Sequence, residues 1–316
     1  VRFICGTQDI HRTLQNKVSE FLGMEDTLLF PSCMDANAGV FEAILDSEDV
    51  IIADRLIHAS LVDGIRLCSA HYDTFKHMNM KHLEKKLELH QDKRTRLIVT
   101  DGVFSMDGDL ALLAEMASIC TDRHALLAVD DAHGLGVLGN EGRGSLDQAG
   151  LSQHEIPVLM GTLGKAFGVA GAFVAGSGVL IETLIQQARS YIYTTAMPAS
   201  LAEATRASLA IIREESWRRD RLQSLIERFR TGAGEIGLML MSIPKPIQPV
   251  LLGEADAAVA WSRRLEELGF LVTAIRPPTV PAGQARLRVT LSASHDEEQV
   301  DRLLDALSLL QREFAA

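Results

Sequence analysis

The 316-residue chain has no apolar run long enough to cross a bilayer. Its longest uncharged stretch, Ala166 to Ile181, is rich in glycine and alanine. It falls short of the roughly 18–20 residues that a span requires. It reads as a loop, a buried strand over 171–175 and the start of a helix, so no membrane partner is expected. Cysteine is equally sparse. Cys5, Cys33, Cys68 and Cys120 are widely spaced with no CxxC pair, which argues against a zinc site or a disulfide framework. No metal is expected, and the thiols read as those of a reduced, cytoplasmic protein. Basic charge is also short, with 31 Lys and Arg against 42 Asp and Glu and a net charge of −11. That balance excludes the basic face of a nucleic-acid-binding protein. It leaves room for a small anionic ligand, which a few arginines can hold. No repeat, low-complexity segment or signal-like segment is present. The chain opens abruptly at Val1-Arg2-Phe3, without a methionine, as if inside a domain.

What is present alternates. Ile10, Leu14 and Val18 recur at helical spacing and Gly23 stops the run. Short apolar runs follow at 27–30, 50–53, 96–100, 126–129, 158–160 and 171–175, most of them separated by helical patterns such as 79–89 and 110–121. Buried strands alternating with helices predict a mainly parallel sheet covered on both faces. After Pro198 the pattern changes to long helices over 201–214 and 217–236. Strands near 247–252, 271–275 and 285–291 come next, with helices at 255–268 and from Asp296. The fold class expected is α/β, with a large domain over residues 1–205 and a smaller α+β domain over 206–316.

Polar residues cluster where the apolar runs end. Val50–Ala53 leads to Asp54 and His58, the run ending at Thr100 leads to Asp101 and Ser105, and the next leads to Asp130 and His133. Val158–Met160 leads to Thr162 and Lys165. Open parallel sheets bind ligands beyond the carboxyl ends of their strands, so these residues predict one crevice. Lys165 lies in Gly161-Thr162-Leu163-Gly164-Lys165-Ala166-Phe167-Gly168. A lysine among glycines and apolar residues can be desolvated into a nucleophilic amine. Asp130, in Val129-Asp130-Asp131-Ala132-His133-Gly134, can hold a proton on a heteroaromatic nitrogen. A Schiff-base lysine with a carboxylate for a pyridinium is what pyridoxal 5'-phosphate chemistry needs. A nucleotide P-loop is the weaker reading of Gly164-Lys165, because GxxxxGK followed by Ser or Thr is absent.

These motifs resemble the α-oxoamine synthases, fold-type I pyridoxal-phosphate transferases that condense an amino acid with an acyl-CoA and release carbon dioxide. The resemblance spans essentially the whole chain. It rests on His58-Ala59-Ser60, Asp101–Gly108, Asp130–Gly134, Gly161–Gly168 and Pro281–Arg288. It implies that Lys165 holds the cofactor covalently, Asp130 pairs with the ring nitrogen, His133 contacts the phenolic oxygen and His58 stacks on the ring. Ser105 and Thr162 would lie beside the phenolic oxygen and the phosphate. Ser32, Cys33 and Met34 would form the phosphate turn at a helix N-terminus, and Thr194 and Thr195 would reach the phosphate of a second subunit in a homodimer. Arg288 would clamp the substrate carboxylate. Arg286, two residues away on the same strand and facing the other way, reads as structural.

The resemblance divides between two branches. The text before about Leu97 is similar to the glycine C-acetyltransferase branch, which joins glycine to acetyl-CoA. The later text, with Tyr191–Thr195 and Thr273–Pro281, is closer to the biotin-pathway branch, which joins alanine to pimeloyl-CoA or its carrier-protein thioester. Met34 departs from both, which usually carry an aromatic there. Arg276 favours the second branch, because a pimeloyl chain has a polar far end to neutralise; a surface ion pair is the duller role for it. The family's N-terminal arm, with its Asn-Asp-Tyr-Leu-Gly segment, is not found. A different fold-type I enzyme or an inactive partner subunit are the other readings, the latter disfavoured because Lys165 is kept.

Overall fold

The alternating strands and helices build a seven-stranded sheet in the computed structural model, which describes residues 2–241 and 245–314. Two compact units are present. The first comprises the residues up to Phe104 together with Leu110–Glu215. Its strands are β1 (Asp26–Phe30), β2 (Val50–Asp54), β3 (His71–Phe75), β4 (Arg96–Asp101), β5 (Leu126–Asp130), β6 (Val158–Thr162) and β7 (Ala172–Gly176). They lie in the order β1-β7-β6-β5-β4-β2-β3. The pairings from β3 through β2, β4 and β5 to β6 are parallel, whereas β7 runs antiparallel to both β6 and β1. The sheet is therefore mainly parallel, as its apolar runs imply.

Side chains alternate across such a sheet, and the two faces bury separate cores. Ile52, Ile98, Leu127 and Val129 face one core, while Ile51, Leu97, Val99 and Ala128 face the other. The first is covered by α1 (Asp9–Leu22), α4 (Met80–Leu89), α5 (Leu113–Asp122) and α9 (Ala199–Glu214). The second is covered by α2 (Cys33–Ile44), α3 (Ala59–Leu67), α7 (Gly178–Gln187) and α8 (Arg189–Ile192). A short helix, α6 (Ser145–Gln148), completes this unit. Gly23 ends α1 with φ of +67°, the left-handed cap glycine adopts without strain. No helix among the described residues is long and apolar enough to cross a membrane.

One strand escapes the apolar-run pattern. β3 reads His-Tyr-Asp-Thr-Phe and is largely open to solvent at its start. It is an edge strand paired only with β2, and an edge needs no apolar run on both faces.

The second unit comprises Ser216 onward together with Ser105–Asp109. It holds α10 (Trp217–Glu235), β8 (Ile247–Gly253), α11 (Ala255–Glu267), β9 (Thr273–Ile275), β10 (Ala285–Thr290) and α12 (Glu297–Phe314). Its three strands form an antiparallel sheet in the order β8-β10-β9. β9 is shorter than its apolar run, and Leu271 is 92% exposed. The division expected after residue 205 falls inside α9, whose Ala202, Leu209 and Ile212 are buried in the first unit's core. The units part between Glu215 and Ser216. A helical period shows which face is apolar but not which core receives it.

Asp73 of β3 accepts from Lys86 Nζ at 2.8 Å and lies 2.9 Å from His90 Nε2. Partial burial alone would raise its pKa, but these bonds outweigh it and bring the carboxyl down from 3.8 to about 2. A folded-state value below the unfolded one stabilises the fold above about pH 4, and the contribution fades as pH falls toward 2. Asp73→Asn is expected to cost roughly 1–2 kcal/mol at neutral pH. In urea melts the wild-type advantage should shrink as the pH is lowered from 5 to about 2; a pH-independent difference would contradict this account.

Candidate active site

Strand ends and helix starts meet at one end of the first unit's sheet. Asp101 and Asp130 are the last residues of β4 and β5 and are direct register partners. Both are buried, at 6% and 4% exposure. Asp130 Oδ1 accepts from the Ala132 amide at 3.0 Å, and Oδ2 accepts from Asn37 Nδ2 at 3.0 Å. Asp101 Oδ2 accepts from the His58 amide at 2.8 Å. Burial, followed by the neighbouring charge of Asp130, pushes the Asp101 carboxyl well above its usual range. The His58 amide and the Lys165 ammonium oppose that rise.

Lys165 lies in the loop between β6 and β7 and is exposed. Its charge acts on both Asp101 and the Cys33 thiol, which locates the amine at these strand ends. Thr162, the last residue of β6, accepts from the Gly164 amide at 3.2 Å and donates to the Gly171 carbonyl at 3.3 Å. Its hydroxyl partly offsets the rise in the Cys33 thiol pKa. Ser32 caps α2, accepting from the Asp35 amide at 3.1 Å and donating to Asp35 Oδ2 at 2.7 Å. Cys33 and Met34 open that helix, so their amides have no carbonyl one turn back. Met34 is 41% exposed. His58 caps α3 through its ring Nδ1 and is itself exposed. His133 is half-buried in the turn after β5.

Asp131, next to Asp130, turns the other way. It is fully buried and accepts from the Ser145 amide at 2.7 Å, and burial lifts its carboxyl to about 7. Its role is to tie the β5 turn to α6.

Sequence reasoning placed Asp101 at the crevice without giving it a role, and it passed over Asn37 and Ser60 as site residues. Asn37 is wholly buried in an otherwise apolar stretch of α2. A buried amide costs free energy unless it is hydrogen-bonded, and that is the signal its position carried.

The remaining candidates lie on other segments of the chain. Thr194 and Thr195 follow α8, half-buried and exposed respectively. Among the described residues no hydrogen bond ties them to the Asp130 group. Ser105 belongs to the second unit, where its carbonyl accepts from Arg288 Nε at 3.0 Å. Arg288 is half-buried, and burial lowers its pKa. Arg286 is 2% exposed and paired with Asp107, a structural role. Arg276 is exposed on the segment after β9 and has no ion pair among the described residues.

The donor set suits pyridoxal phosphate. A buried carboxylate with lone pairs to spare, an accessible amine and a helix N-terminus lie at one set of strand ends. Among the described residues no group of three His, Cys, Asp or Glu side chains lies close enough to hold a metal ion.

The Cys33 thiol is pushed up to about 12, chiefly by burial and then by Asp130. Only the thiolate is nucleophilic, so at neutral pH roughly one molecule in 10⁴ or fewer is reactive at Cys33. Native apoprotein should resist iodoacetamide at Cys33, with modification at least about 100-fold slower than after unfolding, as read by peptide mass spectrometry. Rapid native labelling there would show the thiol to be activated.

The model of the aminotransferase class I and II family matches residues 1–307. The 8-amino-7-oxononanoate synthase of Thioalkalivibrio sulfidiphilus is 56% identical over 302 residues, 96% of this chain and 77% of that protein. The Methylococcus capsulatus enzyme of the same name is 54% identical over 96% of this chain and 79% of its own. With 302 residues matched, the similarity takes in most of the text before Leu97 as well as the rest. Among solved structures, Sphingomonas wittichii serine palmitoyltransferase superposes with a TM-score of 0.95 at 32% identity, covering 99% of this chain and 78% of that one. The Francisella tularensis 8-amino-7-oxononanoate synthase gives 0.86 at 32% identity, over 98% and 88%. The chain belongs to the aminotransferase class I and II family and, within it, to the α-oxoamine synthases.

Proposed function

We propose that this chain is an 8-amino-7-oxononanoate synthase, joining alanine to a pimeloyl thioester with loss of carbon dioxide and release of the thiol. The observation that carries the reading is the convergence of Lys165, Asp130 and the Ser32–Met34 turn at one set of strand ends. Relatives of that name matching 96% of the chain support the choice of branch.

Bound pyridoxal phosphate would supply an electron sink for negative charge at the amino-acid α carbon. Each residue has a task around it. Lys165 Nζ would hold the cofactor aldehyde and serve as the base for the α proton. Asp130 keeps a proton on the ring nitrogen by opposite charge. His58 would cover the cofactor and exclude water, and His133 would donate to its phenolic oxygen. The amides of Cys33 and Met34, with Ser32 and Thr162, hold the phosphate at the start of α2. Thr194 and Thr195 serve the phosphate of a second copy in a homodimer. The resemblance gives Ser105, Arg288 and Arg276 the roles of serving the phenolic oxygen, the substrate carboxylate and the far end of the pimeloyl chain.

Turnover with alanine and pimeloyl-CoA should exceed turnover with glycine and acetyl-CoA, read as free thiol released; a strong acetyl preference would reverse the assignment. Lys165→Ala is expected to lose at least about three orders of magnitude in kcat, each tenfold being ~1.4 kcal/mol of barrier. Arg276→Ala should raise KM for the pimeloyl thioester about tenfold. It should leave kcat and the alanine KM within a few-fold of wild type.

A further inference from the structure

The hydrogen bonds around His58 set its protonation as well as its place. The Ser60 amide donates to His58 Nδ1 at 3.2 Å, so that nitrogen carries no proton. Ser60 Oγ lies 2.8 Å from the same nitrogen and must therefore donate its hydroxyl hydrogen to it. The single ring proton of neutral His58 is left on Nε2.

Ser60 Oγ, its hydrogen committed, accepts from Asn37 Nδ2 at 2.9 Å. The same nitrogen reaches Asp130 Oδ2 at 3.0 Å. One amide NH₂ thus bridges a hydroxyl and a carboxylate, and every donor in the chain meets an acceptor. The amide cannot be reversed, because Oδ1 would then face two acceptors. Asn37 is 0% and Ser60 7% exposed, so water does not compete for these bonds. The helices are close enough to permit them because α3 carries Gly64 on its inner face. A Cβ there would lie 3.0 Å from the Asn37 carbonyl carbon and from the Ala38 nitrogen.

We propose that Asn37 and Ser60 are positioning residues that couple the two groups flanking the cofactor ring. Asn37 orients the Asp130 carboxylate, and through the Ser60 hydroxyl it adds a second donor to His58 Nδ1, supporting the Nε2–H tautomer that the Ser60 amide sets. The catalytic meaning rests on the functional reading above; the tautomer does not. The relay hands Asp130 a fixed donor on one oxygen and leaves its remaining lone pairs for the ring nitrogen. It also turns a donor, not an acceptor, toward whatever meets His58 Nε2.

The test begins on the apoprotein. Nitrogen-15 spectra at alkaline pH, where imidazoles are neutral, should show wild-type His58 as the Nε2–H tautomer alone, with the signal assigned by its loss in His58→Gln. Ser60→Ala, which keeps the backbone amide bond, should keep this tautomer but shift the His58 Nδ1 resonance as the hydroxyl hydrogen bond is lost, and Ser60→Thr, which keeps the hydroxyl, should restore the wild-type resonance. Asn37→Leu, close in size but without N–H groups, should weaken pyridoxal-phosphate binding by at least roughly tenfold in a fluorescence titration. It should also move the pH at which the visible band of the bound cofactor titrates, which a loss of packing alone would not do. Where Asn37→Leu fails to fold, Asn37→Asp, of the same shape with no N–H, is read in the same titration. An unchanged His58 Nδ1 resonance in Ser60→Ala overturns the relay, as does a folded Asn37 variant with wild-type cofactor affinity and an unshifted band. Wild-type protein that binds no pyridoxal phosphate would remove the functional reading while leaving the His58 spectra to decide the relay.

Discussion

Two buried carboxylates ending neighbouring strands form the constraint around which this end of the sheet is organised. Asp101 and Asp130 are register partners, so their like charges would repel where water cannot screen them. Burying unpaired charge costs several kcal/mol per group. The structure meets that cost with donors from three elements. Asn37 comes from α2, the His58 amide from the start of α3 and the Ala132 amide from the turn after β5. Lys165 contributes opposite charge from the β6–β7 loop. Asp101 is the member pushed toward its protonated form, so the pair need not carry two negative charges in one apolar setting.

The sheet makes this possible. Parallel strands all end at the same side, and their backbone partners change there from strand to loop. β2, β4, β5 and β6 deliver Asp54, Asp101, Asp130 and Thr162 to a common edge. The two cores behind them are built from buried apolar side chains. α2 and α3 then supply polar groups from one face only, and their close approach at Gly64 sets how far Asn37 and Ser60 reach.

Much of this was legible in the residue order because it depends on local rules. Apolar runs of strand length marked β2, β4, β5 and β6, and polar residues at their ends marked the crevice. β3 was not legible, since an edge strand satisfied by Lys86 and His90 has no apolar signature. The end of the large domain was misplaced by the length of α9, because periodicity does not say which core a helix enters. Arg286 and Arg288 illustrate the same limit. Alternation along β10 put them on opposite faces, yet only the fold revealed that Arg286 is committed to Asp107 and that Arg288 meets the Ser105 carbonyl.

By itself the sequence determined the class of fold and the chemical types at the site: an amine, a carboxylate and an anion-binding helix start, each set by its own few neighbours. The tertiary structure decided that Asp131, the neighbour of Asp130, serves α6, and it joined Asn37, Ser60, His58 and Asp130 into one network. Those links run between residues far apart in the chain. They exist only because two helices close against a sheet whose strand ends must bury charge.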